Sequence, residues 1–262
     1  MAKSGSTYFQ KYLKVAPFSH ALWRSIEAQE LSKYRLKRPV LDIGCGFGEF
    51  AGIFFPSSVE VGIDIDSKEL LKAAETGKYN KTIIADARNL PFKNNSFSTV
   101  ISISTLEHIQ GNHKVFKETY RILKPGGLFI ITVPTDRLFD ALLVVKILTF
   151  LGLKGLSYVY FKALNKAFKH VFLPSETKWV ELASRAGFKI EKVSGTISQK
   201  ALIFWELGLP FAIPSQLSKL FLGRRLTVGS NIKTKIFKPF TRLIKSDPNF
   251  KANLIIVSRK PK

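Results

Sequence analysis

Short apolar runs alternate with helix-like segments through the first half of the chain, and this alternation restricts the fold more than any other feature. Five runs are typical of buried strands, namely 40–43, 59–65, 82–85, 98–103 and 128–133. The segment after the second run predicts a helix with Ser67 as its N-cap. Strands joined by helices form βαβ units, which place the strands in parallel and cover both faces of the sheet. The sequence therefore predicts an α/β fold with a doubly wound, mostly parallel sheet.

A glycine-rich turn follows the first predicted strand. Gly44, Gly46 and Gly48 let the backbone turn tightly and approach a ligand closely, because glycine has no Cβ. The third glycine of a dinucleotide-binding fingerprint would come three residues after the second, but here the gap is two. Asp42 also precedes the first glycine, and a carboxylate there suits a cationic ligand better than a pyrophosphate. Ligands of such sheets bind beyond the carboxyl ends of the strands, so a site is predicted at this turn.

Two more acidic residues stand at the ends of predicted strands. Asp64 ends the second strand and is placed to accept hydrogen bonds from ribose hydroxyls. Asp86 ends the third strand and is placed to accept a hydrogen bond from an adenine amine. Either residue alone would be read as a loop or helix-cap residue. Together with Asp42 they indicate a nucleoside-like ligand at one edge of the sheet.

Four segments of the first half resemble one family. They are VLDIGCGFGEF at 40–50, VGIDID at 61–66, ADARNLPFKNNSFSTVISISTLEHI at 85–109 and YRILKPGGLFIITVP at 120–134. These segments resemble the class I S-adenosylmethionine-dependent methyltransferases, of the small-molecule subgroup called methyltransferase type 11. A further segment, 170–193, resembles the His–helix–Gly-Phe close of that Rossmann-like fold. The resemblance covers residues 38–134 well and 170–193 fairly.

The resemblance implies S-adenosylmethionine as methyl donor and assigns roles to matching residues. The methionine part and its approach to the ribose would be held by Asp42, Gly44, Cys45, Gly46 and Gly48. Asp64 would bind the ribose hydroxyls and Ile65 would pack on the adenine. Asp86 would meet the adenine amine, and Ala87 would line the adenine pocket.

A catalytic base is suggested after the fourth strand. Glu107 and His108 stand where the family often carries Glu-His and where the acceptor approaches the methyl group. Histidine has an unperturbed pKa near neutrality, so His108 is suited to take a proton from a hydroxyl acceptor. The alternative is that the pair only orders the loop after the strand, which is the simpler interpretation. The scattered histidines and the single cysteine have no metal-ligand spacing, so no metal is expected.

The chain is predicted to have a core interrupted by two insertions. The segments are a helical lead-in at 1–38, a cofactor-binding core at 39–134, an apolar-basic insertion or lid at 135–173, a continuation of the core at 174–194, a basic insertion at 195–250 and a final core strand and tail at 251–262. The strands predicted after residue 134 are 188–193 and 252–258.

Charge is concentrated in the second half of the chain. The whole sequence has 41 Lys and Arg against 19 Asp and Glu, a net charge of +22. Residues 135–262 carry 23 against 7, a net charge of +16. Such a balance indicates a polyanionic partner, either nucleic acid or an anionic membrane surface. The apolar residues of both insertions stand beside Lys and Arg, as in helices that lie in a membrane interface, and the same pattern would suit a lid.

The sequence therefore predicts methyl transfer to a hydrophobic or lipid-linked small molecule at the membrane surface. The segment 141–153 is shorter than the ~20 apolar residues of a membrane span, and no signal peptide is visible. A cytoplasmic enzyme, peripheral on the inner face of the membrane, is expected. An RNA-base N-methyltransferase is disfavoured, because residues 104–108 lack the Asn/Asp-Pro-Pro-aromatic loop. A soluble small metabolite as acceptor, an RNA methyltransferase and a cofactor-binding protein without catalysis stay open, as does the oligomeric state.

Overall fold

The computed structural model describes residues 5–212 and 230–262, and seven strands form one sheet within them. The strands are β1 Val40–Ile43, β2 Val59–Asp64, β3 Tyr79–Ile84, β4 Phe97–Ile103, β5 Leu123–Pro134, β6 Lys189–Gly195 and β7 Asn253–Arg259. Their order across the sheet is β3-β2-β1-β4-β5-β7-β6. The pairs β3–β2, β2–β1, β1–β4 and β4–β5 are parallel, while β7 runs antiparallel to β5. The predicted doubly wound, mostly parallel α/β sheet is therefore confirmed.

Helices lie between most of the consecutive strands and in both insertions, while residues 85–96 join β3 to β4 without one. Those described are α1 Gly5–Val15, α2 Phe18–Leu31, α3 Glu49–Phe54, α4 Ser67–Glu75, α5 Asn112–Ile122, α6 Leu138–Ala141, α7 Leu143–Phe150, α8 Lys154–Phe168, α9 Glu176–Arg185, α10 Gln199–Leu207 and α11 Ser230–Phe237. Short 3₁₀ turns span Leu106–His108, Pro210–Ala212 and Lys238–Leu243. Among the helices that the structure describes, none is long and apolar enough to cross a bilayer.

The chain forms two compact units. One combines the described residues of 1–33, 137–164 and 195–252, and the other combines 34–136, 165–194 and 253–262. All seven strands lie mainly or wholly in the second unit, which we call the sheet unit. The first unit, called the helical unit, contains the described residues of the lead-in up to 33, of the first insertion from 137 to 164, and of the basic insertion. The interval 213–229, which includes part of the predicted basic insertion, lies outside the described residues.

The sheet unit packs helices on both faces because alternate strand residues point to opposite sides. Leu41 and Ile43 of β1 belong to a buried cluster that includes Phe116 of α5 and Trp179 of α9. Val40 belongs to a second buried cluster, with residues of α3 and α4. Each face of β1 is therefore covered by its own layer of helices. This packing holds the strand in place, and with it the sheet edge at which β1 to β4 end.

The helical unit is held together largely by aromatic side chains. The Phe18 ring stacks on Phe237 with centroids 4.6 Å apart, and it meets Phe240 edge-on at 5.2 Å. Trp23 of α2 packs against Trp205 of α10, with centroids 5.1 Å apart. Aromatic pairs at these distances add to the burial of apolar area. Phe237 and Phe240 of the second half of the sequence thus have a packing role in this unit.

Candidate methyl-donor site and the base beside it

The carboxyl ends of β1 to β4 meet at one edge of the sheet, with the glycine turn at its centre. The backbone N–H groups of Gly44 and Cys45 both donate to the carbonyl of Ile63 in β2, at 2.9 and 3.0 Å. Strand order reverses between β1 and β4, so the turn lies at the switch point where such sheets bind ligands. The edge predicted from the sequence is the edge at which these residues are found.

The three glycines of the turn all have left-handed backbone conformations. Their φ angles are 74° at Gly44, 52° at Gly46 and 78° at Gly48, values that side chains other than glycine rarely adopt. A Cβ added at Gly44 would lie 2.1 Å from Cγ2 of Thr105, whereas one at Gly46 would meet nothing nearer than 3.7 Å. Gly44 therefore permits close contact with the loop after β4, and Gly46 leaves space on its own side of the turn.

The backbone bends sharply directly after β4. Ser104 has a φ of 48°, and its N–H donates to both the carbonyl and the Oγ1 of Thr132 at 3.0 Å. A left-handed conformation costs a residue other than glycine about 1–2 kcal/mol, which these hydrogen bonds help to offset. The bend brings the Thr105 hydroxyl to 3.3 Å from the carbonyl oxygen of Gly44. The loop after β4 is thereby fixed against the glycine turn.

Asp64 is held at the rim of this turn by two backbone donors. Its Oδ2 accepts from the N–H of Gly46 at 2.8 Å, and its Oδ1 accepts from the N–H of Asp66 at 3.0 Å. Asp66 in turn caps α4, since its Oδ1 accepts from Lys68 and Glu69. The Ile65 side chain beside it is 68% exposed. An oriented carboxylate next to an exposed apolar side chain is an arrangement that suits a ribose and its base.

Asp86 follows β3, and its carboxylate is paired with a side chain that the sequence did not single out. Arg88 Nε lies 3.0 Å from both carboxylate oxygens, and Arg88 Nη2 lies 2.7 Å from Oδ2. The Arg88 side chain, by donating these hydrogen bonds, lowers the pKa of Asp86, which stays ionised. Ala87 is buried beside it, and the N–H of Ala85 donates to the carbonyl of Asp64. Asp64 and Asp86 therefore end adjacent, hydrogen-bonded strands.

Asp42 lies deeper than the other two acidic residues. It is 3% exposed, and its Oδ2 accepts from the Tyr79 hydroxyl at 2.7 Å. Cys45 is buried in the same region, where burial and the charges of Asp42 and Asp64 raise the pKa of its thiol strongly. The thiol is therefore protonated and is not a nucleophile. No pattern in the sequence indicates Tyr79, which lies 37 residues away in the chain and meets Asp42 through the pairing of the strands.

His108 ends the 3₁₀ turn after β4, and its orientation is fixed by one hydrogen bond. Its Nδ1 lies 3.0 Å from the carbonyl oxygen of Lys169. Because a carbonyl only accepts, the Nδ1 in this contact carries the proton, and the neutral ring keeps its lone pair on Nε2. Oε1 of the buried Glu107 lies 3.9 Å from that Nε2, and the His108 side chain is 37% exposed. An imidazole ring with its Nε2 near a buried carboxylate is thus formed by the two residues that the sequence pairs, an arrangement that could accept a proton.

The segment 165–172 packs on this turn and supplies the contacts that sequence analysis missed. The N–H groups of Val171 and Phe172 both donate to the carbonyl of Glu107, at 2.9 and 3.0 Å. The His170 ring stacks on His108 at 5.5 Å and on Phe168 at 5.7 Å between centroids. His170 begins the segment 170–193 that resembles the His–helix–Gly-Phe close of the family, and this resemblance is the sequence signal that indicates it.

His170 is kept neutral by its surroundings. Burial, with a smaller contribution from the charge of His108, lowers the pKa of His170 to about 4. Its Nδ1 lies 3.0 Å from Oδ1 of Asn165. At neutral pH the ring therefore acts as an uncharged stacking partner rather than as a second base. Within 5–212 and 230–262, no three His, Cys, Asp or Glu side chains are grouped to hold a metal ion.

The lowered pKa of His170 predicts a pH dependence of stability. The unfolded chain binds a proton near the unperturbed pKa of about 6.5, whereas the folded chain binds it near 4, so the free energy of unfolding falls as pH drops from 6.5 to 4. His170→Gln should remove on the order of 1 kcal/mol of this dependence, because partial exposure screens the full shift. Urea unfolding of both proteins at pH 7, 5.5 and 4.5 measures it. Parallel curves for the two proteins would contradict the assignment.

Comparison with known proteins agrees with the geometry. A family model described as a methyltransferase domain matches residues 41–131. An uncharacterised protein of Methanocaldococcus jannaschii is 32% identical over 190 residues, which cover 72% of this chain and 83% of that protein. A demethylmenaquinone methyltransferase of a Geobacillus species is 28% identical over 63% of this chain and 70% of its own length. The chain belongs to the S-adenosylmethionine-dependent methyltransferases.

Two other comparisons extend the picture of this methyltransferase. A Thermotoga maritima S-adenosylmethionine-dependent methyltransferase of solved structure has a TM-score of 0.60 and 22% identity, covering 92% of this chain and 91% of its own. That likeness shows the class I fold. An Arabidopsis thaliana tRNA (carboxymethyluridine(34)-5-O)-methyltransferase is 34% identical over 144 residues, 54% of this chain but 32% of its own length. The methyltransferase thus shares its core with relatives that have different acceptors.

The residues at the sheet edge fit S-adenosylmethionine, which supplies an activated sulfonium methyl group when bound. Space beside Gly46 and its left-handed backbone leave room for the methionine part of a ligand. Asp64 presents an oriented carboxylate suited to ribose hydroxyls, and the exposed Ile65 offers an apolar surface to a base. A nearby carboxylate, Asp42, favours a cationic ligand. These roles, including those of Asp86 and Ala87, are assigned as proposals.

Proposed function

We propose that this enzyme methylates a hydrophobic or lipid-linked small molecule at a membrane surface, and that His108 takes the proton that the acceptor atom loses. The classes of acceptor considered are quinone precursors, polyprenyl-linked sugars and fatty acyl compounds. In this reaction the methyl group is transferred to the acceptor, S-adenosylhomocysteine leaves and the acceptor's proton goes to Nε2 of His108. The protein would contribute proximity, orientation and exclusion of water, because the donor is already activated.

The observation that carries this proposal is the setting of His108. Its Nδ1 is occupied by the carbonyl of Lys169, so the basic nitrogen is Nε2, and the buried Glu107 stands ready to stabilise the charge that the ring would acquire. The ring is stacked on His170, which stacks on Phe168. A base with a neutral aromatic ring stacked against it suits an apolar or aromatic acceptor better than a charged metabolite.

Two further points support a hydrophobic acceptor. The Geobacillus relative is a demethylmenaquinone methyltransferase, and it is similar to this chain along 70% of its own length. The tRNA methyltransferase from Arabidopsis is similar along only 32% of its length. The loop after β4 also reads Ser104-Thr105-Leu106-Glu107-His108, without the prolines of base N-methyltransferases. RNA methylation is kept as the second candidate because of the +16 charge of residues 135–262.

The test is transfer of a radioactive methyl group from labelled S-adenosylmethionine. The acceptors compared would be isoprenoid phenols in detergent micelles, the same phenols without their tails, and a mixed RNA pool. We expect label in the organic phase, with kcat/KM at least about tenfold higher for the tailed acceptors, since each buried methylene adds about 0.8 kcal/mol. Label found in RNA, or equal rates with and without the tail, would contradict the proposal. Absence of label from every one of these acceptors, despite cofactor binding, would also contradict the proposal.

A further inference from the structure

Helices α7 and α8 follow one another in the helical unit, joined by residues 151–153, and one buried carboxylate contacts both of them. Glu206 of α10 is 4% exposed and accepts hydrogen bonds from the N–H groups of Leu143 and Val144, at 2.6 and 3.2 Å. It also accepts from the Tyr160 hydroxyl at 2.8 Å. One residue of α10 therefore fixes the start of α7 and the middle of α8. A carboxylate at a helix N-terminus is favourable, so Glu206 stabilises the start of α7.

The connection between the two helices and its flanks, residues 147–159, which we call the tip, expose apolar side chains to solvent. Phe150 is 90% exposed, and five more residues between 147 and 159 are between 43 and 60% exposed: Ile147, Leu151, Leu153, Leu156 and Val159. Gly152 and Gly155 stand among them. Burial of this many large apolar side chains would stabilise a complex, whereas their exposure to water is unfavourable. An exposed apolar cluster of this kind marks an interaction surface.

The charge around the tip has a single sign. Between residues 141 and 164 there are three lysines, Lys146, Lys154 and Lys162, and no acidic residue. Lys154 and Lys162 are exposed, while the Lys146 amine donates to Gln199. Apolar side chains with lysines around them gain from acyl burial and from attraction to anionic headgroups together. A surface that bound another protein through this tip would not require the uniform positive charge.

We propose that residues 147–159 insert into the headgroup region of an anionic bilayer, with Phe150 and Leu151 deepest. The proposal rests on the proposed function in taking the acceptor to be lipid-linked, and it identifies the surface by which the enzyme reaches that lipid. Glu206 hydrogen-bonds to Leu143 on one side of the tip and to Tyr160 on the other, so the tip stands between two anchored positions of the chain. Hydrophobic insertion and charge act in parallel, so salt weakens binding but does not abolish it.

Flotation of the full chain with vesicles tests this surface without any methyl transfer. Wild type should float with vesicles of phosphatidylcholine and phosphatidylglycerol, and part of the binding should persist in high salt. Phe150→Asp should reduce the bound fraction about tenfold, and Lys154→Glu with Lys162→Glu should remove the preference for anionic vesicles. The matched controls are Leu71→Asp, at an apolar residue that is 68% exposed on α4, and Lys93→Glu, at an exposed lysine. Both controls should bind as wild type does.

Three results would overturn the proposal. They are absence of flotation by the wild type, flotation of Phe150→Asp equal to wild type, and a wild-type dimer in light scattering that Phe150→Asp converts to monomer, since the tip would then bind a second copy. Methylation of a tail-less phenol by Phe150→Asp separates this proposal from the proposed function. Loss of flotation with retained methylation would leave the catalytic assignment intact and support the membrane surface. Normal flotation without methylation of any lipid would contradict the proposed function alone.

Discussion

Replacing Asp64 with alanine is expected to weaken the binding of S-adenosylhomocysteine by about tenfold to a hundredfold. The carboxylate is held at the rim of the glycine turn by the N–H groups of Gly46 and Asp66. Its side chain is therefore already ordered before the ligand binds. A hydrogen bond to a charged group contributes about 1.5–3 kcal/mol, and the ribose hydroxyls would lose that partner. Isothermal titration calorimetry on the folded variant measures the change.

Asp66→Asn is the matched control for this experiment. It removes a carboxylate two residues away but keeps an oxygen that can cap α4, because Asn is as good an N-cap as Asp. Its affinity should stay within about twofold of wild type, since no ribose contact is assigned to Asp66. If Asp64→Ala has an unchanged affinity and an unchanged unfolding transition, the assignment is wrong and another residue contacts the ribose.

Much of the sheet could be predicted from the sequence, because each strand is a short apolar run that ends at a polar turn. The bounds of β1 agree with the prediction at both ends, and the order of strands and helices follows the βαβ pattern. The start of β5 was predicted at Leu128, but the strand begins at Leu123. Leu123 pairs with Phe97 before a register shift, so pairing continues through a Lys-Pro-Gly-Gly segment that looks like a loop. A turn-like sequence does not end a strand when the neighbouring strand still has backbone groups available for hydrogen bonding.

Two smaller differences have local causes. Strand β3 begins at Tyr79, three residues before the predicted Thr82. The sequence pattern does not show this start, because Asn80 and Lys81 are exposed on an edge strand and are not apolar. The cap of α4 was predicted to be Ser67, but Asp66 is the N-cap. Both residues are good caps, so the choice depends on where the chain leaves β2. Sequence patterns therefore identify elements better than they identify terminal residues.

In the candidate site, too, local features could be predicted from the sequence and tertiary contacts could not. Strand ends are local features, so the sequence brought Gly44, Asp64 and Asp86 to one edge through the topology alone. Side-chain partners depend on tertiary contacts, and the pairs Asp42–Tyr79 and His108–Lys169 join residues 37 and 61 positions apart. No spacing rule gives such pairs from a single sequence. The contact with the Lys169 carbonyl matters most for the chemistry, because it decides which nitrogen of His108 is basic.

His108→Ala is expected to lower kcat by about a hundredfold or more, while the affinity for S-adenosylhomocysteine stays within about twofold. The reason is that Nε2 would no longer accept the acceptor's proton, although no contact to the cofactor is assigned to this ring. The base acts in its unprotonated form, so kcat of the wild type should rise with pH to a plateau and this rise should be absent from the variant. Rates are measured with the tailed phenol that wild type methylates fastest.

His113→Ala is the matched control, since His113 is an exposed histidine on α5 to which no role is assigned. A purely structural His108 would give a different pattern: the variant would unfold at lower urea concentration and lose cofactor affinity together with rate. Added imidazole separates the cases further, because a small base can enter the space left by the ring and restore part of kcat without restoring packing. Full activity in His108→Ala would leave Glu107 and His108 as residues that order the loop after β4. Rescue by imidazole, with the pH dependence of the imidazole itself, would place the proton transfer at this position.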